Sequence, residues 1–143
     1  MKIVIIGDGK VGYKLAKQLS EDNYDVVLID NNAGKLKAAI NKLDIICITG
    51  DGVSAEVQKE ADVPHADLVI ACASTDELNM LSCLIARRLG ARCPIGLRRA
   101  RCPTAGTNCS LASFADSRSC RISGDIFDTD VLTKLKEQML PLC

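Results

Sequence analysis

The sequence predicts an α/β protein built on a doubly wound parallel sheet, and three observations predict it. Over residues 1 to about 92 one pattern recurs: a short β-branched run, a turn rich in Gly or Asp, then a segment of helical period. The first strand is followed directly by Gly7-Asp8-Gly9-Lys10-Val11-Gly12, a G-x-G-x-x-G that opens a helix. An acidic residue, Asp30, closes the second strand close to the spacing expected after such a turn. Together these make the fold Rossmann-like, with strand order 3-2-1-4-5. Its ligand crevice lies at the carboxyl ends of the strands, where the strand order reverses.

Ile3-Val4-Ile5-Ile6 is apolar at every position, which suits a central strand buried on both faces. Val11, Leu15 and Leu19 then recur on one helical face, leaving Lys10, Lys14, Lys17 and Gln18 for solvent, and this helix should end between Ser20 and Asn23. Asp25 to Asp30 is the second strand. Lys35 to Leu43 follows as a helix with Leu36, Ile40 and Leu43 inward, and Ile45 to Thr49 as the third strand. After Gly50-Asp51-Gly52, Ser54 is placed to cap a short helix through Ala61 that stops before Pro64. Leu68 to Ala71 is the fourth strand. Ser74 or Thr75 caps a helix from Asp76 to Leu89 with Leu78, Leu81, Ile85 and Leu89 at helical spacing, and Gly90 stops it. Ile95 to Leu97 reads as a further strand.

A chain of 143 residues with 48% apolar content suits one globular domain. Eighteen basic against eighteen acidic side chains leave neither the basic footprint of a nucleic-acid binder nor a polybasic membrane patch. Apolar runs such as Ile3 to Ile6 and Leu68 to Ala73 fall well short of the roughly 20 residues that cross a bilayer, so no direct membrane insertion is expected. Met1-Lys2 leads into a strand rather than a secretory apolar stretch, which reads as a cytoplasmic protein.

Five of the eight cysteines fall at or after residue 93, where apolar periodicity also fails and Cys102 to Ser123 becomes rich in Ser, Cys and Arg. The expectation is a nucleotide-binding domain over 1–98 and a divergent tail over 99–143 that does not continue it. A change of reading frame between residues 93 and 102 would produce such a tail; a metal-binding tail is the rival. No cysteine pair has zinc-knuckle or dithiol spacing and His65 is the single histidine, so no metal ligands are assigned.

Each glycine of the turn answers a separate steric demand. Gly7 makes the tight turn, Gly9 lets backbone approach a pyrophosphate, and Gly12 lets helix and strand pack closely. The free amides of the helix start and the positive end of its dipole attract phosphate. Asp30 is placed to bond the adenosine ribose hydroxyls, and the Asn31-Asn32 that follow supply no arginine for a ribose phosphate. NAD or another adenosine ligand without that phosphate is favoured over NADP. Asp8 is less welcoming to phosphate, while Lys10 can offset its charge. Gly50-Asp51-Gly52 and Ala73-Ser74-Thr75 end the third and fourth strands beside the same crevice, where an adenine-edge role suits the former and a ribose or phosphate role the latter; ordinary turn and cap chemistry is the competing reading. No catalytic constellation appears, and Cys72 and Cys83 read as small buried hydrophobes. A small NAD-dependent oxidoreductase, or a fragment of one, is the alternative from the enzyme class; it needs a hydride-transfer residue set in a second domain, and none is found.

The stretch from Met1 to Gly12, then Val27-Leu28-Ile29-Asp30, Thr49-Gly50-Asp51-Gly52, Ala66 to Ala71 and Ser74 to Met80 together resemble the N-terminal domain of TrkA-type potassium-uptake regulators, also called RCK or KTN domains. The resemblance covers about residues 1–92. It implies a non-catalytic cytoplasmic subunit, peripheral at the inner face of the membrane, that binds NAD or NADH, or in relatives ATP or ADP, and controls a potassium-translocating membrane subunit. It further implies assembly into homo-oligomers, dimers or rings, whose geometry follows nucleotide state. Carried over position by position, the nucleotide contacts would be Gly7, Asp8, Gly9, Lys10, Val11, Asp30, Asp51, Gly52, Ala73, Ser74 and Asn79, with Arg98 in place of a phosphate-contacting arginine.

Overall fold

A computed structural model describes residues 1–98 and the strand backbones of 110–113 and 121–123. Strands β1 (Lys2–Ile6), β2 (Asp25–Asp30), β3 (Ile46–Thr49), β4 (Leu68–Ala71) and β5 (Pro94–Arg98) pair in parallel in the order 3-2-1-4-5. Two short antiparallel strands, β6 (Ser110–Ser113) and β7 (Arg121–Ser123), extend the sheet beyond β5. Apart from these two backbones, the tail expected over 99–143 lies outside the described residues, as does the Arg98 side chain.

The sheet is covered on both faces because its strands are apolar on both. Ile3, Ile5, Val26, Leu28 and Ile70 face helices α1 (Lys10–Glu21) and α2 (Ala33–Ile40), which contribute Leu15, Leu19 and Leu36. Val4, Ile6, Val27, Ile29 and Val69 face the opposite layer, made by α3 (Ala55–Glu60), a 3-10 turn at Val63–His65 and α4 (Asp76–Leu89). Alternate side chains of one strand thus feed two separate cores, as the two-residue period of a strand requires. Cys72 and Cys83 are buried thiols, and burial pushes the Cys83 thiol up to about 12, which leaves it an inert packing group. Cys93 is disulfide-bonded.

Two helices depart from expectation. The second begins at Ala33 rather than Lys35, because the Asn32 side chain accepts from the amides of Gly34 (3.0 Å) and Lys35 (3.2 Å) and so starts the helix earlier. Its buried row becomes Leu36 and Ala39, with Leu43 packed beyond the helix end, and Ile40 turns half to solvent. In α4 the face suggested by the apolar spacing is reversed in part. Leu78 and Leu81 are exposed, together with Met80 and Leu84, while Asn79, Ser82, Cys83 and Ala86 are buried. The reason is steric: α4 lies close against β4 and β5, and small side chains fit that gap where leucines do not. The cap of this helix is Thr75, whose hydroxyl accepts from the Leu78 amide at 3.3 Å.

Candidate functional site

The carboxyl ends of β1, β2, β3 and β4 surround an open cleft at the point where the chain turns from β1 outward to either side. Gly7 leaves β1 with φ 107°, a left-handed conformation that a side chain would oppose. A Cβ on Gly12 would collide with the Gly7 carbonyl, so α1 can rest on the turn only because residue 12 has no side chain. The N-cap of α1 is Gly9, which provides no side-chain cap. The first-turn amides of Lys10 and Val11 therefore remain available at the positive end of the helix.

Asp30 stands opposite this turn. Its Oδ2 accepts from the Asp8 amide at 2.7 Å and its Oδ1 from the Asn32 amide at 2.8 Å, so both oxygens are held and each keeps further lone-pair capacity. The carboxylate thereby ties the end of β2 to the glycine turn. Asp8 itself is buried, and burial together with the nearby Asp30 charge raises its pKa, while Lys35 pulls the other way. Asp51 closes a local turn by accepting from the Val53 amide at 3.0 Å. The Ala73 amide donates to Asn79 Oδ1 at 2.6 Å, and Asn79 Nδ2 donates to the Leu97 carbonyl at 2.9 Å. The Cys72 thiol donates to the Gly7 carbonyl at 3.3 Å and closes the floor beneath the turn.

Of the residues singled out in the sequence, Gly7, Gly9, Asp30, Asp51, Gly52, Ala73 and Ser74 line the cleft. Asp8 and Lys10 line an adjoining depression with Gly9 and Tyr13. Val11 and Asn79 line neither; Asn79 is fully buried and spends its amide on the backbones of Ala73 and Leu97. Lys35, Leu78 and Ser82 also line the cleft and were not singled out. Lys35 could have been found from the Asn32 cap, which sets the start of α2 and puts this lysine in its first turn, bordering both cleft and depression. Ser82 carries no such signal, since its place beside the cleft depends on the reversed face of α4. Among the described residues there is no group of three or more metal-ligating side chains, and no helix is long and apolar enough to cross a membrane.

Fold and cleft together define a Rossmann-like domain with a glycine turn at the switch point of its sheet. The chain belongs to the TrkA-N domain family, whose profile matches residues 3–104, past residue 92 where the motifs stop. It is 38% identical over 101 residues to the Trk system potassium uptake protein TrkA of Halomonas elongata, which is 71% of this chain and 22% of that protein. The chain thus spans about a fifth of that relative's length. Among solved structures, the GsuK channel bound to NAD has a TM-score of 0.56 at 24% identity, over 62% of this chain and 16% of that one. The Kef CTD of Shewanella denitrificans in its AMP-bound form has a TM-score of 0.52 at 17% identity, over 62% of this chain and 52% of that one. These two likenesses show the fold.

Proposed function

We propose that the cleft binds an adenine nucleotide, NAD or NADH first and ATP or ADP as the alternative, and that the domain regulates rather than catalyses. The observation that carries this reading is the Asp30 carboxylate, anchored on the Asp8 and Asn32 amides across from a helix start that has no side-chain cap. A diphosphate suits the open amides and a ribose diol suits the fixed carboxylate. Asp30 also opposes a 2′-phosphate by like charge, which supports NAD over NADP. The NAD on the GsuK channel and the AMP on the Kef CTD lend support at the level of the shared fold.

The potassium-uptake name of the Halomonas relative supports a place in a Trk or Ktr type system, at the cytoplasmic face of a potassium-translocating membrane subunit. The exposed apolar row of α4, with Leu78, Leu81 and Leu84, supports self-association as a dimer or ring. Leu78 belongs to that row and to the cleft wall at once, so a ligand in the cleft touches the surface on which copies would pack. A nucleotide then shifts assembly by as much as it binds one arrangement better than the other. The ionisable side chains in the cleft, Asp30, Asp51, Lys35 and Cys72, are accounted for by ribose, turn, phosphate and floor.

Thermal unfolding of the full chain with NAD, NADH, NADP, ATP and ADP tests the reading. A ligand of the folded state raises the midpoint with the logarithm of its concentration over Kd. The expected order puts NAD or NADH above NADP, and Asp30→Ala should lose most of the shift. No shift with any adenine nucleotide at millimolar concentration overturns the proposal.

A further inference from the structure

Ser82, in the second turn of α4, is among the residues lining the cleft, yet it is 1% exposed and its buried Oγ makes no hydrogen bond. A serine inside a helix ordinarily turns its hydroxyl to the carbonyl one turn back. Here it does not, and a buried hydroxyl without a partner opposes folding. Alanine would fill the same helical position without that penalty.

The neighbours of Ser82 are arranged around the same gap. Gln58 on α3 is fully buried; its Nε2 donates to the Gly52 carbonyl at 2.7 Å and to the Ser82 carbonyl at 3.0 Å, which ties the two walls together. Its Oε1 has no partner either. A Cβ on Gly52 would collide with Ile6 Cγ2 and stand 3.6 Å from Ser82 Oγ, so the Gly52 backbone lies flush against the floor beside that hydroxyl. If phosphates take the α1 amides and ribose takes Asp30, the remaining part of a nucleotide is its planar base. Val53 and Leu78 give the cleft apolar lining that suits such a base, and Ser82 lines the same cleft.

We infer that Ser82 is a further ligand-contacting residue, its hydroxyl turning to hydrogen bond the purine base of the bound nucleotide. The inference rests on the nucleotide-binding reading of the same cleft. A hydroxyl both donates and accepts, so it can meet either a ring nitrogen or the exocyclic amine of adenine. The partnerless hydroxyl becomes a satisfied one when the base binds.

The test uses the full chain, with NAD as the probe, in wild type, Ser82→Ala and Ser82→Cys. Without nucleotide, Ser82→Ala should melt at or above the wild-type temperature, because it removes an unsatisfied polar atom. Its Kd for NAD should rise about three- to tenfold, the worth of one neutral hydrogen bond. Ser82→Cys keeps the side-chain shape with a larger sulfur that hydrogen bonds only weakly, and it should show the same weakening, which covers the case in which the alanine variant folds poorly. Wild-type NAD affinity in the variants overturns the inference and leaves the nucleotide reading standing. A clearly lowered melting point in both variants without nucleotide also overturns it, since the hydroxyl would then be bonded within the protein itself. If wild type itself binds no adenine nucleotide, both the inference and the reading beneath it fall.

Discussion

Helices α1 and α4 reach the cleft from opposite faces of the sheet, and they are built on opposite plans. The start of α1 is bare: Gly9 caps it with no side chain and the first turn holds no acid. That of α4 is filled by the Thr75 hydroxyl and by Asp76 and Glu77. The dipole of α4 is therefore spent within the chain, and that of α1 is left for an anion. Their buried faces differ as well. On α1 the sheet takes Leu15, Ala16 and Leu19; on α4 the buried residues are Asn79, Ser82, Cys83 and Ala86, while Leu78, Leu81 and Leu84 stay outside. Apolar periodicity identifies the buried face when the sheet is a helix's main partner. It misleads when close packing against the sheet admits only small residues.

The largest effect should come from the contact on which the plan of α1 depends. Gly12→Ala puts a methyl into the Gly7 carbonyl and against the Cys72 sulfur, backbone and floor that cannot move apart without opening the turn. A loss of more than about 3 kcal/mol is expected in urea unfolding, near the upper range for an overpacked site. A near-neutral Gly12→Ala would mean that α1 can lift off the turn, and close approach would cease to define its side of the cleft. On the α4 side the matching change is Asn79→Ala. It strands the Ala73 amide and the buried Leu97 carbonyl and should cost about 2 kcal/mol. If it instead leaves stability intact and weakens nucleotide binding alone, Asn79 is a direct ligand contact and the positioning role assigned by its two bonds is wrong.

The two helices also show how far the sequence could be read. Strands β2 and β4 and the whole span of α4 have the limits that alternation, turn residues and caps imply, because those signals are local. The glycine turn and Asp30 were legible for the same reason: a backbone conformation and a strand end fix where they point. Lys35 was missed by misplacing one cap, and Ser82 because its face is decided by how near α4 stands to β4 and β5, a distance that no residue spacing encodes. Asn79 was reached through resemblance, and its geometry speaks for holding the Ala73 strand end rather than lining the cleft.

Asp8 is a smaller and more conditional case on the α1 side. Its pKa is raised by burial and by Asp30, so the folded state favours the protonated acid more than the unfolded state does. The penalty is absent below the ordinary value of 3.8, grows as pH rises through the raised folded value, and is constant above it. Asp8→Asn should therefore melt above wild type at pH 7, with the two curves converging as pH falls below 4. It should also bind nucleotides more tightly at pH 7 by removing a negative charge beside the phosphate position. A difference that is flat with pH would show that Asp8 does not carry the charge penalty of the turn.

The smallest effect on folding, and the one that bears most directly on α4, concerns its outer row. Leu81 is 45% and Leu84 53% exposed, so replacing both with Glu removes little that the fold buries. The stability of the isolated chain should change by less than about 0.5 kcal/mol, as for ordinary surface positions. Self-association has a different dependence. Two charges on each copy would be driven into a shared apolar surface, and an uncompensated buried charge is far costlier than an exposed leucine. Light scattering across a concentration series should show wild type as a dimer or larger and the double variant as a monomer with the same unfolding midpoint at high dilution. A wild type that stays monomeric throughout would remove self-association as the reason for the reversed face of α4. The packing of Cys83 and Ala86 against the sheet would then be its whole explanation.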